Sequence, residues 1–264
     1  MKRLLSTVLA AIALTLAPAA QAANTWGTDM SDMWWIPSES GWGANIAHQR
    51  GVVFMTLYVY GADSRIRWYA ATYMQSRGNS DPFVFDGALY EFVGPFFGAP
   101  AFDPLDVGVR QVGLASLAFG SVGQGTLTYS IDSVAVTKQI ERQTFRENNL
   151  AGTYLGHLSN SVAGCASGNG LRYESGAATV IHEIDNSISI STALDAGRTC
   201  SYAGSYSQSG RLGEISGSMA CSDGRSGSFQ ITEIEAGYLG YMGRYSASLG
   251  ASCTESGSMA WLSR

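Results

Sequence analysis

The chain reads as all-β: two antiparallel β domains in series, the second a closed eight-stranded up-and-down barrel, with a β-sandwich as its alternative. Three observations predict this. After the first 22 residues no window sustains a helical period, and short alternating or apolar runs recur every 8 to 14 residues, separated by Gly, Asn, Asp or Pro. Glycine supplies 32 of 264 residues while only 14% are charged, a balance that suits tight turns and pleated surfaces. Aromatic residues reach 11%, more than a disordered chain carries.

Residues 1–22 have the three parts of a cleavable export signal. Lys2 and Arg3 open it, Leu4 to Leu16 is an apolar run, and Pro18 breaks that run before the small-x-small site Ala20-Gln21-Ala22. A helix of about 13 residues rises only about 20 Å, short of a roughly 30 Å hydrocarbon core. No cysteine follows the site, so lipoprotein processing is not expected, nor any transmembrane segment after signal removal. The expected location is periplasmic or extracellular.

Removing Lys2 and Arg3 takes the formal charge from −5 to −7 and leaves Lys138 as the one lysine of the remaining 264 − 22 = 242 residues. That balance offers no footprint for nucleic acid or for anionic lipid.

The first β domain, residues 23–146, is expected to hold strands near 43–48, 52–60, 65–73, 84–92, 107–119, 125–131 and 134–145. Gly61-Ala62-Asp63-Ser64 is turn chemistry between the second and third of these. Residues 94–104 carry three prolines and read as a surface loop. The charged, amide-rich stretch from Arg142 to Asn149 marks the boundary.

The second domain, residues 147–264, contains all four cysteines. Its expected strands are 150–157, 171–182, 187–194, 199–206, 212–221, 226–233, 238–246 and 253–262. Eight short strands suit a closed barrel because closure leaves no exposed sheet edge.

Four cysteines allow three pairings. If 199–206 and 212–221 form a hairpin turning at Gly210-Arg211, opposed residues sum to 421. Cys200 then faces Cys221, Tyr202 faces Met219, and Tyr206 faces Ile215 on one side of the sheet. Ser201, Ala203 and Ser205 fall on the other side, and a slip of one residue would mix the two sets. Opposed non-hydrogen-bonded residues have Cα atoms about 4.5 Å apart, within disulfide range. Cys165 and Cys253 remain, and barrel closure makes the first and last strands neighbours, so this pair is expected to bond as well. No two cysteines have the short spacing of a zinc site. No metal or cofactor is expected.

One stretch of the first domain is specific as a string: Trp35-Ile36-Pro37-Ser38-Glu39-Ser40-Gly41-Trp42-Gly43-Ala44-Asn45, continuing to His48. With Tyr60, Asp63, Trp68-Tyr69, Asp86-Gly87-Ala88-Leu89-Tyr90, Gly125-Thr126-Leu127-Thr128-Tyr129 and 137–143, it resembles a domain found repeatedly in exported proteobacterial proteins. The resemblance covers about residues 33–146 and implies an exported β domain in a bacterial envelope. It transfers no catalytic residues. Ser64 departs from the pattern, which has Gly in that turn.

Glu39, Trp42, Asn45 and His48, followed by Trp68 and Tyr69, form the densest candidate ligand-binding set. Flat aromatic faces accept sugar or other rings, while Glu, Asn and His orient polar groups. The competing expectation, preferred for Trp42, is that it plugs the end of the domain as a core residue. A glycosidase needs two carboxylates across a cleft, and nothing in the spacing pairs Glu39 with Asp63 or Asp86. No Gly-x-Ser-x-Gly elbow is present. His182-Glu183-Ile184-Asp185 reads as a solvated strand end. The expectation is therefore an exported, non-enzymatic ligand- or glycan-binding module. A structural or assembly component of the envelope without a small ligand is the alternative, and a hydrolase comes third.

Overall fold

The computed structural model describes residues 28–264 except 79, 196 and 251, so the expected export signal lies outside the described residues. Its strands close into two eight-stranded antiparallel barrels. The sandwich alternative is thereby set aside, and the first domain is also a barrel. Among the described residues no helix is long and apolar enough to cross a membrane.

Barrel 1 is built from β1 (Asp32–Trp35), β2 (Gly43–Gln49), β3 (Val52–Tyr60), β4 (Ile66–Ser76), β5 (Val84–Val93), β6 (Gly108–Phe119), β7 (Gln124–Ile131) and β8 (Val134–Arg142). Alternation locates seven of these. It misses β1, because four residues reading Asp-Met-Trp-Trp are too few to show a period. Yet β1 closes the barrel: Trp34 sits opposite Ala44 of β2 on one side and Arg142 of β8 on the other. Trp34, Leu57, Phe85, Leu117 and Leu127 point inward with no exposed surface. Burying each such side chain contributes about 1.5–3 kcal/mol.

Barrel 2 comprises β9 (Gly152–Ala163), β10 (Gly170–His182), β11 (Ser187–Leu194), β12 (Thr199–Ser209), β13 (Leu212–Cys221), β14 (Ser226–Gly237), β15 (Gly240–Ser248) and β16 (Thr254–Ser263). All eight expected strands are present. β9 runs past its expected end because its buried alternation continues through Leu158, Asn160 and Val162. Closure comes from β9 against β16, with Asn160 opposite Gly257.

The β12–β13 register is the one that sums to 421. Cys200 faces Cys221 with Cα atoms 4.0 Å apart, and the two are bonded. Cys165 and Cys253 form the second disulfide, with Cα atoms 4.2 Å apart. On the hairpin, Tyr202, Tyr206, Ile215 and Met219 are buried while Ser201, Ala203, Ser205 and Ala220 are exposed. The outward positions of β11, Ser187, Ser189 and Ser191, are exposed too. This serine-clad wall is the reverse of the apolar band that lipid-facing barrels carry.

Strand direction decides which ends of the barrels meet. One end of barrel 1, its mouth, collects connections 36–42, 61–65, 94–107 and 132–133. The opposite end receives the β12–β13 turn of barrel 2. The Arg211 guanidinium pairs with the Asp29 carboxylate, its backbone N–H donates to Asp32 Oδ2 at 3.1 Å, and Glu235 accepts from it at 3.0 Å. Gly210 turns the hairpin at φ +60, and a Cβ there would run into Asp32 and Arg142, so glycine answers both demands. Arg142 is buried. It stacks over Trp34 at 5.1 Å from the ring centre, lies 3.5 Å from Asp32 and donates to the carbonyl of Val122.

Candidate functional site

The mouth of barrel 1 gathers part of the expected ligand set. Pro37 fixes the start of a single 3₁₀ turn, Pro37–Glu39, in which the Glu39 N–H donates to the Ile36 carbonyl at 2.9 Å. Gly41 then takes a φ of +123, open to glycine and costly for other residues. At Gly43 a Cβ would lie 2.8 Å from the Tyr58 hydroxyl and 3.0 Å from the Trp34 carbonyl oxygen. Two glycines thus press the segment onto the barrel and bring Trp42 against its core at this end.

Trp42 is half-buried, packed against the core rather than within it. Its indole N–H donates to Glu39 Oε2 at 3.0 Å. Lys138 reaches the same carboxylate from β8, with Nζ 2.7 and 2.9 Å from its two oxygens and 5.7 Å from the Trp42 ring centre. Hydrogen bonds from Lys138 and then from Trp42 hold the Glu39 carboxyl below the usual carboxylate range. Tyr69 and Tyr129 are buried nearby. Burial raises the Tyr129 phenol first, and the negative charges of Glu39 and Tyr69 add to it.

The remaining expected residues lie elsewhere. Trp68 points outward from β4, 52% exposed, and stacks on Phe92 with ring centres 5.5 Å apart and planes 7° from parallel. Asn45 is exposed on the outer wall and donates to the Met33 sulfur at 3.1 Å. His48 faces inward at the opposite end of the barrel, where Nδ1 accepts from the Met30 N–H at 3.2 Å and the ring meets Phe85 edge-on. Period two explains the split: Trp42 and His48 share the inner face but stand six residues apart along the strand, while Asn45 falls on the outer face.

Lys138 joins the site without having been expected there. Its signal in the sequence is the inward alternation Val136, Lys138, Ile140, Arg142 on β8, with a lysine where an apolar residue belongs.

Of the carboxylates considered for glycoside hydrolysis, Glu39 is held by Lys138 and Trp42, and the other two are occupied by arginines. Asp63 holds Arg67 at 2.9 Å, and Asp86 holds Arg77 at 2.6 Å at the far end of the barrel. Glu183, Ile184 and Asp185 are exposed as expected, but His182 is half-buried: Nδ1 accepts from the Leu150 N–H at 3.2 Å, and the ring packs on Tyr206. Among the described residues no three His, Cys, Asp or Glu side chains converge as metal ligands.

The interior of barrel 2 is filled. A cavity of about 20 Å³ remains, lined by Leu158, Thr192, Tyr202, Tyr245 and Trp261 among others, with room for about one water molecule. Above it, at the disulfide end, two ion pairs cap the barrel: Arg198 with Glu174, and Arg225 with Glu255. Asn160 donates to Glu255 at 3.0 Å. Asn160 Oδ1 and Arg198 Nε are buried without hydrogen-bond partners. Nothing in the local sequence announced this cap.

Comparison with protein-family models, with curated proteins and with solved structures finds no match to this chain.

Proposed function

We propose that the chain is an exported, non-enzymatic binding protein of the bacterial periplasm or cell surface, with the mouth of barrel 1 as its ligand site. The observation that carries this reading is the Glu39–Trp42–Lys138 cluster: a partly exposed indole beside a paired carboxylate and ammonium, at the mouth end of a barrel. An aromatic face flanked by hydrogen-bonding groups suits a neutral ring with polar edges, such as a sugar. The two disulfides agree with a non-reducing compartment. The resemblance of residues 33–146 to an exported proteobacterial domain points the same way.

Intrinsic fluorescence titration with a panel of soluble glycans and ring-bearing apolar ligands tests it. A saturable response is expected that Trp42→Ala abolishes and Trp68→Ala retains. A response lost with Trp68→Ala but kept with Trp42→Ala moves the site to the outer wall. No response to any ligand leaves the alternative, a structural or assembly component of the envelope. The contact between the two barrels through Arg211 and the filled interior of barrel 2 favour that alternative.

A further inference from the structure

We propose that the mouth end of barrel 1 docks on a net-neutral lipid bilayer through the β5–β6 loop, residues 94–107. This goes beyond ligand binding at the mouth and does not depend on it. The loop displays Phe97 at 96% exposure, Leu105 at 89%, Phe96 at 68% and Phe102 at 65%. It is held in shape locally. The Ala99 N–H donates to the Phe96 carbonyl, and the Asp103 side chain caps the Leu105 N–H. These apolar side chains are therefore presented outward by an ordered backbone.

The neighbouring connections do the same. Tyr60 and Ile66 flank the β3–β4 turn, and Val134 follows the β7–β8 turn, all exposed. At the opposite end the described residues of turns 50–51, 77–83 and 120–123 include no exposed large apolar side chain, and Phe145, in the segment leading to barrel 2, is the exposed one there. Apolar groups drawn from three separate connections lie around one end of one barrel. A planar apolar phase meets them all, whereas a protein partner would need matching relief.

Charge selects the kind of bilayer. Each basic side chain at this end already faces carboxylates: Arg65 and Arg67 face Asp63, Arg110 faces Glu91 and Asp132, and Lys138 faces Glu39. Asp103 and Asp106 of the loop itself are exposed as well, so carboxylates outnumber basic groups at this end, nothing draws it to anionic headgroups, and insertion of aromatic and aliphatic side chains into the interface has to supply the affinity.

Vesicle flotation of the purified protein tests this, using phosphatidylcholine alone and phosphatidylcholine with phosphatidylglycerol added. Partition into phosphatidylcholine is expected that salt does not abolish and that added phosphatidylglycerol does not strengthen. Phe97→Ser and Phe97→Ser/Leu105→Ser should weaken it, the double variant by about tenfold or more, with unchanged melting because both side chains are solvent-exposed. Phe97→Trp should be quenched by brominated lipid. The proposal is overturned by failure to float with phosphatidylcholine, by equal flotation of the double variant, or by flotation that needs phosphatidylglycerol and vanishes in salt. Self-association that the double variant abolishes, without vesicle binding, would instead make this end an interface between copies of the chain.

Discussion

Lys138 Nζ bonds both carboxylate oxygens of Glu39 although 99 residues separate the two in sequence, and the contact ties β8 to the segment that carries Trp42 across the mouth of barrel 1. Because Glu39 is exposed, the pair acts by orienting groups more than by stabilising the fold.

Glu39 titrates below the usual carboxylate range because Lys138 and Trp42 bond its charged form. A depressed pKa means that the interaction is present above the ordinary value and disappears as pH falls through the folded-state value. Lys138→Met should therefore move the Glu39 titration upward, as read by carboxyl-carbon NMR. No movement would place the lysine elsewhere in solution.

Trp42 and Trp34 should respond differently to truncation. Trp34→Ala empties a fully buried site and should cost about 3–5 kcal/mol, enough to unfold a marginal domain. Trp42→Ala removes a half-buried ring and should cost about 1–2 kcal/mol, leaving a folded barrel. Chemical denaturation separates the outcomes, and an unfolded Trp42→Ala would make this residue the core plug that its sequence context suggested.

Non-reducing peptide mapping should find Cys165 joined to Cys253 and Cys200 to Cys221. The sequence separations are 88 and 21, so the chain-entropy model assigns about 4.5 and about 3 kcal/mol. Replacing Cys165 and Cys253 by serine should accordingly lower the melting temperature more than the same change at the other pair. It should also loosen the seam between β9 and β16, which hydrogen exchange would show.

The junction of the barrels should weaken in acid. Burial raises the Asp29 pKa, but hydrogen bonds from Ser31 and the charge of Arg211 outweigh it and leave the group below its ordinary 3.8. The contact then holds from neutral pH down to about 4 and is lost as pH falls further through the folded-state value. Arg211→Ala should reproduce the acid effect at neutral pH. Limited proteolysis between residues 143 and 149 provides the measurement, and unchanged cleavage would mean that the hairpin tip does not hold the barrels together.

Ser64 sits at φ +59 in the β3–β4 turn, where its N–H donates to the Gly61 carbonyl at 2.9 Å. A side chain costs roughly 1–2 kcal/mol in that conformation, partly offset by the greater freedom of glycine in the unfolded chain. Ser64→Gly, which removes the side chain from this left-handed position, should raise stability by up to about 1 kcal/mol. A lower melting temperature would show that the serine hydroxyl contributes a compensating contact.

The sequence by itself determined what depends on neighbours along the chain. Alternation of side chains located every strand long enough to repeat, and the clean partition of Tyr202, Tyr206, Ile215 and Met219 from the serines settled the β12–β13 register, because a hairpin brings together residues whose separation its turn already sets. The first and last strands of barrel 2 became neighbours by the same logic once closure was assumed, which placed Cys165 beside Cys253. Only the tertiary structure decided what depends on residues far apart meeting at one level of a closed barrel. It recruited the four residues of β1 as a strand, since Trp34 gains partners on both sides only when β8 comes round to it. It also divided the expected ligand set among the mouth, the outer wall and the far end of barrel 1, and brought Lys138 to Glu39. Spacing along a strand reports which face a side chain takes, whereas the height at which strands from distant parts of the chain align is fixed by the stagger of the closed sheet.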